Sequence, residues 1–134
     1  MNVRPSLAVT LCVLVLSALL ASGCDSKPSY CSKVDQLELS VKDLDEIDLS
    51  KGVSSLTSAV SKVRTSANDA VAAAKKDFPT ETGRIESSVS ALATGIDQLP
   101  SSPSATQIAT LTLEIKLVVD SVDSFVTQTK KKCD

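Results

Sequence analysis

Apolar residues along the chain fall into four series that advance by alternating steps of three and four. The first runs Val34, Leu37, Val41, Leu44 and Ile47, and the second Val53, Leu56, Val60, Val63, Ala67, Ala70 and Ala74, ending near Phe78. The third runs Ile85, Val89, Leu92, Ile96 and Leu99, and the fourth Ile108, Leu111, Ile115, Val118, Val122 and Phe125. Such steps keep successive members on one face of a helix, whereas a half-buried strand alternates at every second residue. The pattern predicts an all-α fold, an antiparallel up-down four-helix bundle. Ser and Thr, which are indifferent helix formers, fill many of the positions between, so packing of the seams must hold these helices.

Local chemistry marks the ends. Ser32 is positioned to cap the first helix, with Asp35 three residues on. Ser50, Lys51 and Gly52 read as the break before the second helix, or Gly52 is absorbed into that helix. Phe78-Pro79-Thr80 closes the second and offers Thr80 as the next cap, and Pro100 stops the third. Ser102 followed by Pro103 reads as a cap with proline at the first helical position. Lys130, Lys131 and Lys132 suit the negative end of the fourth helix dipole. At about 1.5 Å per residue the fourth helix comes to about 45 Å and the first to about 25 Å. Either the first leaves part of the fourth uncovered, or the link after it climbs.

The N-terminus has a different character. Arg4 is followed by an uncharged run from Ser6 to Leu20, mostly Leu, Val and Ala, and then by the small residues Ala21, Ser22 and Gly23. The run is shorter than the roughly 20 apolar residues of a spanning helix and has the layout of a signal peptide. Ala21-Ser22-Gly23-Cys24, preceded by Leu20, resembles the lipobox of bacterial prolipoproteins, with Ala21 where that family most often has Leu. The resemblance implies a lipoprotein signal peptide over residues 1–23, cleavage between Gly23 and Cys24, and a diacylglyceryl thioether on Cys24. The chain would then be lipid-anchored in a cell membrane on its extracytoplasmic side. Two or three acyl chains, at about 0.8 kcal/mol per buried methylene, hold a protein to a bilayer far longer than one does. Residues 24–31 become a short tether and residues 32–134 the bundle domain. Beyond the lipobox the chain resembles small helical lipoproteins of actinobacterial envelopes only in general character.

This leaves two of the four cysteines, because Cys12 departs with the signal peptide and Cys24 carries lipid. Cys31 and Cys133 lie near the two ends of the remaining chain, in a compartment where disulfides persist. In an up-down bundle the start of the first helix and the end of the fourth share one end, which brings the two together. A disulfide is therefore expected between Cys31 and Cys133. Free thiols are the alternative; zinc is a poor one, since the chain has no His and two thiolates do not complete four ligands.

The net charge of −2 becomes one unit more acidic once Arg4 is removed, which argues against a nucleic-acid partner. The acidic cluster Asp43, Asp45, Glu46 and Asp48 lacks the Gly and distal Glu spacing of an EF-hand and reads as a solvated helix end. With no His, no Gly-rich phosphate loop and no nucleophile elbow, catalysis has little to build with. No enzyme activity, metal or cofactor is expected. Leu113, Leu117, Val119 and Val126 stand beside the fourth seam: either that helix is central and buries them, or Leu113 and Leu117 form a partner-binding patch. Lys27, Lys33 and the terminal lysines either meet lipid headgroups or are simply solvated.

The expectation is a non-catalytic protein-binding or structural lipoprotein, anchored through Cys24 and working with another envelope protein. A carrier of an acyl chain or other apolar ligand, and a phage-type receptor-blocking lipoprotein, are the alternatives. Against a carrier, the second seam narrows to Ala67, Ala70 and Ala74, which invites close helix approach and not a cavity.

Overall fold

The computed structural model describes residues 27–134. The lipobox, Gly23 and Cys24 lie outside the described residues. Four helices follow one another: α1 (Tyr30–Asp45), α2 (Val53–Ala74), α3 (Pro79–Asp97) and α4 (Ala105–Cys133), with a short 3-10 turn at Leu49–Lys51 between the first two. No strand occurs among the described residues. The fold is an all-α four-helix bundle. α1 packs on α2 and α4, and α3 packs on α2 and α4, so the helices close a ring around one core.

Cys31 in the first turn of α1 is bonded to Cys133 at the end of α4. Lys33 of α1 reaches Asp69 in the last third of α2 at 3.5 Å, and Lys75, just past α2, reaches Glu86 near the middle of α3 at 3.3 Å.

The core consists almost entirely of the four seams. Val34, Leu37, Val41 and Leu44 are buried on α1, Leu56 through Ala74 on α2, Ile85 through Ile96 on α3, and Leu111 through Phe125 on α4. Ile47 and Leu99, at the ends of their series, are partly buried against the core. The chain's three aromatic residues all gather at the disulfide end. Tyr30 meets Phe78 edge to face at 5.6 Å, and Phe78 meets Phe125 in the same way at 5.9 Å. Lys132 Nζ lies 5.3 Å from the Phe78 ring centre. Quadrupole attraction thus supplements area burial where three elements converge. Two hydroxyls within the core, those of Thr82 and Thr129, donate to the carbonyls of Phe78 and Phe125 four residues back, so their burial leaves no unsatisfied donor.

Several boundaries differ from expectation. Ser32 does not cap α1: the helix already begins at Tyr30, and Ser32 is an exposed residue within it. Thr80 is not a cap either, because Pro79 opens α3 with Phe78 before it. Burial of Tyr30 and Phe78 against each other draws both starts towards the aromatic cluster. The fourth cap is Ser104, not Ser102. Its hydroxyl accepts from the Gln107 amide while the Gln107 side chain accepts from the Ser104 amide, a reciprocal capping box. Ser102 has no residue with a suitable side chain three positions on; Ala105 stands there. Ser104→Ala is expected to cost about 1 kcal/mol in chemical denaturation, with Ser102→Ala close to neutral.

Gly52 opens α2 with φ +109°, a conformation that side chains rarely adopt, and this fixes the break between α1 and α2. The link before it climbs along α4: Ile47 and Leu49 border a groove with Thr112, Ile115 and Val119. The length mismatch between α1 and α4 is taken up in this way.

Candidate functional site

At the disulfide end the Sγ atoms of Cys31 and Cys133 are bonded, with 5.9 Å between the two Cα atoms. Lys27, Pro28 and Ser29 lead into this end and border a groove with Asp35, Lys130 and Asp134. Cys24 precedes Cys31 by seven residues. A lysine pair clasps α1 here. Glu38 takes Lys42 at 3.1 Å on one oxygen and Lys130 of α4 at 3.5 Å on the other. The Lys42 hydrogen bond, with help from the Lys130 charge, outweighs partial burial and holds the Glu38 carboxyl below its ordinary range.

Because the folded value is depressed, this contribution to stability is present above the unfolded value and is lost as pH falls through the folded one. The stability difference between the wild type and Glu38→Gln should therefore be constant near neutrality and shrink once the pH drops below about 4. Urea midpoints measured at a series of pH values would show it.

Two of the exposed large apolar side chains lie towards the other end of the bundle, on α4. Leu113 and Leu117 are 64% and 58% exposed. The expectation that α4 buries its extra apolar residues holds for Val126, and partly for Val119, but fails for this pair. Four residues apart, both leucines point away from the face formed by Leu111, Ile115, Val118 and Val122, and shortness of α1 is not the reason. They stand 20 and 16 residues before Cys133, which at 1.5 Å per residue is about 30 and 24 Å along α4. Leu39 on α1 is a further exposed leucine, 62% accessible, beside a shallow groove with Gln36, Ser61 and Thr65 of the α1–α2 face.

Next to Leu113, Glu114 turns inward towards α3. Its Oε2 is buried and takes no hydrogen bond from any described residue. The oxygen fits there because Gly95 of α3 has no side chain; a Cβ at that position would overlap it. Leaving a buried acceptor unsatisfied costs about 1–3 kcal/mol. Periodicity gave no sign of this arrangement, since Gly95 and Glu114 both lie off the apolar seams; only the interior glycine in a helical segment hinted at it.

The acidic residues Asp43, Asp45, Glu46 and Asp48 are exposed around the end of α1, with Asp48 3.8 Å from Lys51. Among the described residues, no three Cys, Asp or Glu side chains gather as a metal ion needs. None of the described helices is long and apolar enough to cross a membrane. Compared with family models, with curated proteins and with solved structures, the chain has no match.

Proposed function

We propose that this protein is a lipid-anchored, non-catalytic lipoprotein of a cell envelope, held on the extracytoplasmic side through Cys24, whose bundle binds another envelope protein through Leu113 and Leu117. The observation that carries the reading is the pair of exposed leucines on α4 and their distance from the disulfide end. The tether from Cys24 to the start of α1 at Tyr30 spans six residues, at most about 20 Å when extended. In this reading the disulfide end stays near the headgroups and the leucines face outward, in reach of a protein and not of lipid. The lysines Lys27, Lys130, Lys131 and Lys132 then add attraction to anionic headgroups, screened by salt.

The carrier alternative draws less support. Ala67, Ala70 and Ala74 are buried in the α2 seam, and the roomier groove between α1 and α2, of about 440 Å³, is bordered by Gln36, Ser40, Ser61, Lys62, Thr65 and Asp69 with Leu39 as its large apolar residue. A lining of that kind does not suit an acyl chain, whose pocket is mostly apolar. A receptor-blocking role uses the same leucines and differs only in the partner.

The test is made in the native host. Mass spectrometry of membrane-isolated protein should find an acylated N-terminal peptide beginning at Cys24, and Cys24→Ser should release the protein from the membrane fraction. Crosslinking from positions flanking Leu113 should be lost in the Leu113→Ser, Leu117→Ser double variant and kept in Leu39→Ser. An unmodified Cys24 would remove the anchor from the proposal, and crosslinks indifferent to both leucines would remove the patch.

A further inference from the structure

Two local departures from stable design coincide at one place. Gly95 occupies the interior of α3, where glycine is a poorer helix residue than alanine. Glu114 on α4 presses a carboxylate oxygen into the space this leaves, where no donor meets it. A single change of Gly95 to alanine would improve the helix and turn the flexible carboxylate out to water. Sequences tolerate such conflicts chiefly where function needs them.

The surroundings say what would satisfy the carboxylate. Gly95 and Glu114 border the groove between α3 and α4, of about 240 Å³, together with Leu99, Leu111, Gln98 and Thr110. Its lining contains one charge, the Glu114 carboxylate, and no cation. Two leucine walls suit a methylene stem, and the polar rim suits a multi-donor head. Glu114 follows Leu113 directly and precedes Leu117 by three residues, so one short partner element lying on the leucines would reach the groove.

We infer that the Gly95–Glu114 groove receives the guanidinium or ammonium head of a basic side chain, carried by an amphipathic helix of the partner protein that lies across Leu113 and Leu117. A charge-assisted hydrogen bond to Glu114 gives this contact its specificity, and the leucines give it area. The inference rests on the proposed partner-binding role of the leucines and adds the chemistry of the partner.

Two probes test it on the mature protein isolated from host membranes and held in nanodiscs: n-butylguanidinium, and a synthetic amphipathic helical peptide bearing one central arginine. Amide spectra should show saturable shifts at Gly95, Gln98 and Thr110 with either probe. The peptide should bind at least about tenfold more tightly, because it also covers the leucines, and should lose that advantage in Leu113→Ser, Leu117→Ser. Glu114→Gln and Gly95→Ala should each weaken both probes by about tenfold or more. Gly95→Ala should do so while its thermal midpoint stays the same or rises, which separates loss of the site from loss of the fold.

Shifts unchanged in Glu114→Gln, or spread equally over exposed carboxylates, would overturn the site. Equal affinity for the two probes would overturn its assignment to a partner's side chain in favour of a free amine. If crosslinking in the host depends on the leucines but not on Glu114, the protein-binding reading stands and this inference alone fails.

Discussion

Replacing Cys31 and Cys133 together by alanine is expected to destabilise the bundle by on the order of 4 kcal/mol. The bond joins residues 102 positions apart. Chain-entropy theory assigns about 4.7 kcal/mol to closing a loop of about that length, by restricting the unfolded chain; strain or residual structure reduces the figure. Cys31 is buried in the core and Cys133 is partly buried against it, so some native packing goes with the two sulfurs as well. A domain of this size shifts by at least about 4 °C per kcal/mol, so the thermal midpoint should fall by roughly 15 °C or more. Chemical denaturation of the wild type with and without reductant should reproduce the effect. A loss below about 1 kcal/mol would mean that the unfolded chain already holds its ends together.

The second large effect is expected at Phe125, which is fully buried and stands edge to face with Phe78. Phe125→Ala should cost about 3–5 kcal/mol, combining the lost transfer energy with a cavity that rigid neighbours fill only in part. Phe78 then keeps Tyr30 as its one ring partner, and part of the restraint on the α2–α3 junction goes. Phe125→Leu should recover much of the loss, since it refills volume without restoring the ring pair. Denaturant midpoints should fall with little change in slope. By contrast, Leu113→Ser should lie within about 0.5 kcal/mol of wild type, as expected for an exposed position. A large cost there would show that Leu113 supports the fold and would weaken its case as a docking residue.

Much of the fold was legible in the order of residues because burial in a helix repeats locally. The seam Val34, Leu37, Val41 and Leu44 needs only its own spacing to be recognised, and the same holds for Ile85, Val89, Leu92 and Ile96. Cap identities were less legible. Ser101, Ser102 and Ser104 offer the same hydroxyl within four residues, and the choice depended on which had Gln107 at the reciprocal distance. At the other end, Tyr30 lengthened α1 beyond its expected start because it had a distant ring, Phe78, to pack against.

The candidate site divides in the same way. The chain alone determined the helical seams and the break around Ser50 to Gly52, because each follows from residue type and spacing, whereas the pairing of Cys31 with Cys133 was expected only through the lipobox resemblance. Only the tertiary structure decided that Leu113 and Leu117 stay in solvent, that all three aromatics meet beside the disulfide, and that Glu114 occupies the gap at Gly95. Those outcomes depend on which faces of different helices meet, and pairings between residues far apart in the chain leave no period in its sequence.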